Sequence, residues 1–169
     1  MFNTTIATQI YAKICFEATN SQKKIIENLS EYLSDDDFSR IFVLNGFAGT
    51  GKTTLIAALV AALKELRIKP VLLAPTGRAA KVLARYCGEQ ALTIHKRIYR
   101  QRTNADYESK FSLDFNREQG AVFIVDEASM LSDSTGDGAL FGSGSLLEDL
   151  VSYCLLYTSP SPRDYAASR

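Results

Sequence analysis

Gly46-Phe47-Ala48-Gly49-Thr50-Gly51-Lys52-Thr53 places glycines, a lysine and a hydroxyl at the G-x-x-x-x-G-K-[ST] spacing of a phosphate loop. Glycines let such a turn aim successive backbone N–H groups inward. The helix beginning at its far end adds a partial positive charge, so a polyphosphate is the ligand this chemistry suits. Lys52 is expected to reach the β- and γ-phosphates, with the Thr53 hydroxyl completing a Mg2+ shell and Thr54 closing the nucleotide-binding run Gly46–Thr54. A second pair, Asp126-Glu127, ends an apolar stretch far downstream. A strand-end carboxylate holds Mg2+, the role expected of Asp126 together with Thr53. An acid directly after it, Glu127, can orient or deprotonate the attacking water. Lys52, Asp126 and Glu127 are thus the candidate catalytic residues, and ATP with Mg2+ the expected ligand. A glycine turn joining two elements, or a solvated acidic turn, is the plainer reading of either segment alone. Their flanks and their joint occurrence favour hydrolysis.

The flanks are those the loop requires. Ile41-Phe-Val-Leu44 predicts a strand before it and Thr54–Leu63 a helix after it. Arg67–Pro70 turns the chain into a second strand, Val71–Ala74, which Pro75 stops before a helix over Thr76–Tyr86. Residues 93–99 begin another helix. Residues 100–119 are polar, with an alternation at Phe111, Leu113 and Phe115 that suits a hairpin. Ala121-Val-Phe-Ile-Val125 is a continuous apolar run, the pattern of a parallel strand buried on both faces. Upstream, residues 3–16 suit a short amphipathic helix. Thr19–Leu33 suits a better one, with Ile25, Ile26, Leu29, Tyr32 and Leu33 at helical spacing and Thr19 or Ser21 as cap. Ser34–Asp37 is a polar break. Strand and helix alternate, so the fold class is α/β with a parallel sheet flanked by helices.

With 46% apolar and 22% charged residues, the composition disfavours disordered and membrane classes. The zero net charge advertises no global field for nucleic acid, although a translocating enzyme can confine its basic residues to one groove. Cys15, Cys87 and Cys154 have no metal spacing and leave an odd count, the usage of reduced thiols in a cytoplasmic protein. The first residues lack a basic, apolar signal pattern, and no run is long enough to span a membrane.

Two more segments bear on the class. Ala74-Pro-Thr-Gly-Arg-Ala-Ala80 follows the second strand at the edge where open α/β sheets bind ligands. There Thr76 and the N–H groups of Gly77 and Arg78 can meet a nucleic-acid phosphate. Thr93-Ile-His-Lys96 adds a hydroxyl and the one histidine. Read singly, these are a capped helix start and a histidine packed at an interface. In order and spacing, however, Gly46–Thr53, Ala74–Ala80, Thr93–His95 and Asp126-Glu-Ala-Ser-Met-Leu131 resemble motifs I, Ia, Ic and II of superfamily 1 (SF1B) DNA helicases, of the RecD-like branch. The resemblance covers about residues 16–153.

That resemblance implies a RecA-like P-loop NTPase domain, the first motor domain, that couples ATP hydrolysis to translocation on single-stranded DNA. It implies Gln22 as an adenine-reading glutamine, since an amide matches the N6/N7 edge of adenine bidentately. It implies Thr76, Gly77, Arg78, Thr93 and His95 as strand contacts of the sequence-tolerant, backbone-tracking kind. The organisation expected is a helical segment over 1–35, a partial ATPase domain over 36–153 with a possible hairpin insertion at 100–119, and a tail over 154–169. Cys154–Asp164 resembles the translation of a transposase-type sequencing adapter, so 154–169 is set aside as non-native. The glutamine of motif III, a second RecA-like domain and its arginine finger would lie beyond Tyr153, leaving this polypeptide inactive as a helicase by itself. Two other readings stand beside the motor: an RNA-directed superfamily 1 helicase, and a non-translocating nucleotide switch, which Glu127 weighs against.

Overall fold

The computed structural model describes residues 2–35, 37, 40–47, 49–103, 109–118, 120–131 and 141–155. Ala48 of the phosphate loop, residues 104–108 of the expected hairpin and residues 156–169 of the tail therefore lie outside the described residues.

Two helices lead in, α1 (Phe2–Lys13) and α2 (Asn20–Ser34). Thr19 caps α2: its hydroxyl accepts from the Gln22 N–H, while the Gln22 side chain accepts from the Thr19 N–H, a reciprocal capping box. The phosphate loop opens α3 (Lys52–Glu65), which hands the chain to β1 (Pro70–Ala74). Thr76 then caps α4 (Gly77–Cys87), and Gly88, at φ 66°, ends it in the left-handed conformation that glycine tolerates best. The short β2 (Ala91–Thr93) runs directly into α5 (Ile94–Ile98), capped by Thr93. β3 (Tyr99–Thr103) and β4 (Ser109–Leu113) pair antiparallel, with Tyr99 opposite Leu113. β5 (Val122–Val125), a single 3-10 turn over Ala128–Met130 and α6 (Leu146–Leu155) complete the order. Helix α6 reaches two residues into the segment set aside as a tail, and Cys154 packs into the core beneath it.

The main sheet is parallel, in the order β2-β1-β5. Alternation along its strands divides the core in two. Leu72 points to one face, with Val60 and Leu83 from α3 and α4. Val122 and Ile124 pack on that side too, against the apolar layer of α1, α2 and α3 around Ile6, Ile10, Ile26 and Leu63. Val71 and Leu73 point to the other face, joined by Phe123 and Val125 and covered by Ile94 and Ile98 of α5 and Leu150 and Tyr153 of α6.

Two expectations about the sheet need correction. Ile41–Leu44 forms no ladder with any described strand. The segment is nevertheless strand-like in its alternation. Phe42 and Leu44 pack against the α1–α3 layer, while Ile41 and Val43 on the opposite side stay 64% and 71% exposed. Helix α2 adds to this hold: the Tyr32 ring packs tilted against Phe42 at 5.5 Å, and its hydroxyl donates a hydrogen bond to the Arg40 carbonyl at 2.8 Å. Strand propensity without a neighbouring backbone produces extended chain but no ladder. The second correction concerns Ala121–Val125, expected to be buried on both faces. β5 is an edge strand, and all four of its residues are half-buried.

Candidate functional site

Parallel register brings the chemistry to one edge. Ala74 pairs with Thr93 and Leu73 with Val125, so Thr93 and Asp126 sit level with Ala74 at the carboxyl ends of β2, β5 and β1. The Asp126 N–H continues the ladder by donating to the Leu73 carbonyl at 3.0 Å. Thr76 lies just beyond Ala74. Because α3 delivers the chain to the amino end of β1, its own N-terminus, carrying the phosphate loop, lies at the carboxyl edge as well. The topology thus gathers Lys52, Thr53, Asp126, Glu127, Thr76 and Thr93 along one rim, the edge where open α/β sheets bind ligands.

The loop is closed by its own lysine. Lys52 Nζ donates to the Gly46 carbonyl at 2.6 Å and the Phe47 carbonyl at 2.8 Å, and Thr50 Oγ1 donates to the Phe47 carbonyl at 2.8 Å. Of three ammonium protons, one remains for a ligand. Gly49 and Gly51 adopt φ 80° and 81°, the left-handed conformation that lets the turn re-aim its N–H groups. Gly51 is the N-cap of α3 and brings no side-chain cap. Among the described residues, the first-turn N–H groups of Lys52, Thr53 and Thr54 therefore have no partner, the arrangement that receives an anion at a helix start. A side chain at Gly46 would crowd Thr50 Oγ1 at 3.0 Å. These features fit a polyphosphate. Thr53 at the helix start and Asp126 at the β5 end offer the hard oxygen donors that Mg2+ takes. Phe47, 88% exposed, stands out from the loop into solvent.

Gln22 meets this loop from α2. Its Oε1 is fixed by the capping box and its Nε2 donates to the Thr50 carbonyl at 3.2 Å. A Cβ at Gly51 would come within 3.0 Å of the same Nε2. The amide is thereby oriented at the rim while one lone pair and one proton stay free, the complement of an adenine edge. The pattern Thr-x-x-Gln was a legible capping-box signal.

The acidic pair is shaped by its backbone. Glu127 sits at φ 55° and ψ 34°, a left-handed conformation rare for a residue with a side chain. Its N–H donates to Asp126 Oδ1 at 3.0 Å, which holds the Asp126 carboxylate at the strand end and leaves the exposed Glu127 side chain beside it.

Of the expected strand contacts, Thr76 and Thr93 both act as helix caps. Their hydroxyl oxygens accept from Ala79 N–H at 3.2 Å and Lys96 N–H at 3.3 Å, leaving each hydroxyl proton available. Gly77 and Arg78 are exposed in the first turn of α4. His95 lies differently. Its ring packs against Tyr99 at 5.7 Å and edge-on to Phe141 at 5.2 Å, inside an aromatic group that Phe111 completes by stacking on Phe141. No sequence pattern announced the pair at the base of this group. Tyr99 donates to the buried Asp149 at 2.6 Å, and the Ser143 N–H donates to the same oxygen at 2.9 Å. Burial, then the bond to Asp149, pushes the Tyr99 hydroxyl well above the ordinary phenol range.

A parallel sheet between helix layers, with a lysine-closed phosphate loop and a strand-end carboxylate on its carboxyl edge, defines a P-loop nucleotide-binding domain. The chain belongs to the AAA domain family, whose profile matches residues 17–140. It is also similar to the ATP-dependent RecD2 DNA helicase of Deinococcus radiodurans, with 29% identity over 114 residues. The match takes in 68% of this chain but spans only 15% of that relative. Among the described residues no helix is long and apolar enough to cross a membrane.

Proposed function

We propose that this chain is the ATP-binding part of a motor that couples ATP hydrolysis to movement along single-stranded DNA. The observation that carries the reading is the shared rim. The Lys52 loop, the Asp126-Glu127 pair and the capped starts of α4 and α5 all stand at the carboxyl ends of one parallel sheet. The similarity to a DNA helicase supports the choice of polymer.

The chain's own residues divide the work. The N–H groups at the start of α3 and the remaining Lys52 proton hold the phosphates, and Gln22 orients the base. When bound, Mg2+ would be held by Thr53 and Asp126 and would supply charge neutralisation at the phosphates. Glu127 accepts the proton of the attacking water or fixes its line of approach. Thr76, Gly77, Arg78 and Thr93 offer donors to the phosphates of a strand lying along the rim, and His95 reaches it only through a rearranged aromatic group. In the complete motor a second RecA-like domain closes over the nucleotide and contributes an arginine, which is worth about 10³–10⁵ in rate in related chemistry. The present chain alone binds nucleotide without unwinding a duplex.

The test is two-tiered. Lys52→Ala should abolish binding of a fluorescent ATP analogue to this chain, and strand-stimulated ATPase activity in a longer gene product. Nucleotide binding that survives Lys52→Ala refutes the site. ATPase activity stimulated by RNA but not by DNA would transfer the motor to the other polymer.

A further inference from the structure

The outer face of α4 carries a row of cations that no carboxylate neutralises among the described residues. Arg78, Lys81 and Arg85 recur at i, i+3 and i+7, so they share a face, opposite the buried Ala80 and Leu83. The helix contains no acid. Six basic residues (Lys13, Arg40, Lys64, Lys69, Arg97 and Arg100) each face a carboxylate, while others scattered over the surface, Lys23, Arg67 and Lys96 among them, face none among the described residues. Arg78, Lys81 and Arg85 face none among the described residues. The acid nearest in sequence, Glu89, is held by Lys64. Helix stability accounts for Arg85, which stands in the last turn, but not for Arg78, which stands in the first, where the positive end of the helix dipole disfavours a cation. Beside it runs a second row at i and i+4, Val82 and Tyr86, which are 47% and 63% exposed.

We propose that this face is a further contact for single-stranded nucleic acid, with Arg78, Lys81 and Arg85 on consecutive phosphates and an unpaired base stacked on Tyr86 against Val82. At a rise of 1.5 Å per residue, the cationic row is about 10.5 Å long. A flexible single strand can lay successive phosphates along a row of that length. The row starts at the rim beside Thr76, so it extends the strand path proposed above and rests on that reading. An acidic protein segment fits less well, because the apolar residues of this face, Val82 and Tyr86, form a platform of the kind on which bases stack.

The experiment is anisotropy of a labelled oligothymidine with the full 169-residue chain across a salt series. Wild type is compared with K81Q/R85Q and with Tyr86→Ala, and equal thermal unfolding shows that all three are folded. Loss of two phosphate contacts should lower the slope of log affinity against log salt by about 1.4. Tyr86→Ala should weaken binding about tenfold with the slope unchanged. An unchanged slope in K81Q/R85Q, with wild type binding normally, overturns this contact and leaves the rim reading standing. Failure of the wild type to bind oligothymidine while it binds the ATP analogue overturns both. Binding of an Asp/Glu-rich peptide, but not oligothymidine, with the same loss in K81Q/R85Q would make the face a protein-docking surface and overturn the proposal.

Discussion

Glu127→Gly should make the protein more stable while removing the acid proposed to act in hydrolysis. At φ 55° and ψ 34° the residue pays the left-handed penalty of a side-chain-bearing residue, about 1–2 kcal/mol. Its side chain is exposed and makes no hydrogen bond or ion pair among the described residues, so truncation forfeits no contact. Glycine removes the strain but enlarges the entropy of the unfolded chain by about 0.5–1 kcal/mol. The net gain is about 0.5–1 kcal/mol. Alanine keeps the strain, so Glu127→Ala should stay within about 0.5 kcal/mol of wild type. Urea unfolding resolves the two: at a slope of about 2 kcal/mol/M, the glycine variant's midpoint moves up by about 0.3–0.5 M and the alanine variant's barely moves. In a longer chain carrying the proposed second domain, both variants should lose the proposed hydrolysis. If the glycine variant is no more stable than the alanine variant, the backbone at Glu127 stores no strain, and the conformation that sets the acid beside Asp126 is not one the fold imposes.

Three further outcomes are expected. Gln22→Glu keeps an oxygen for the Thr19 N–H but loses the donor to the Thr50 carbonyl. Its melting temperature should therefore fall only slightly, since the capping bond survives, while its preference for the ATP analogue over a GTP analogue falls; retained preference would remove Gln22 from base reading. Tyr99→Phe strips the buried Asp149 of its hydroxyl donor and, among the described residues, leaves it the Ser143 N–H. It should cost about 2 kcal/mol in urea unfolding. Hydrogen bonds from Lys69 and then Arg97 hold the Glu118 carboxyl below the usual carboxylate range. A depressed folded value contributes stability that is present above the unfolded value, about 4.3, and lost as pH falls through the folded one. Glu118→Gln should accordingly flatten that acid limb of the stability–pH curve.

Sequence patterns were legible where the physics is local. The phosphate loop, the acids after an apolar run and the spacing of α2 and α4 each need only neighbours in the chain. Ile41–Leu44 and Ala121–Val125 show where that stops. Both have strand composition, but pairing and depth depend on which backbone lies alongside, and that is a property of the sheet order. Thr76 and Thr93 illustrate a different gap. The oxygen that caps a helix is the same atom that would meet a phosphate, so residue type alone does not separate the two roles. The Tyr99–Asp149 bond joins residues 50 apart, and no residue type at or beside Glu127 announces its left-handed backbone.

The extended, unladdered run Ile41–Leu44 sets a mechanical condition on the site. The loop holding Lys52 rides on that run, whereas Asp126 rides on β5, and among the described residues no hydrogen-bonded ladder joins the two. Catalysis of this kind tolerates little play, since a displacement of about 1 Å can cost about a hundredfold in rate. On the proposed reading, the phosphate loop with Lys52 and Thr53 and the Asp126 carboxylate stand on separate frames, as a vice with one jaw unbolted, and the spacing between them is left to the packing of side chains. A strand laid between the runs would set that spacing by backbone geometry. Nucleotide binding, which uses one jaw, should thus survive in this chain far better than hydrolysis, which needs both.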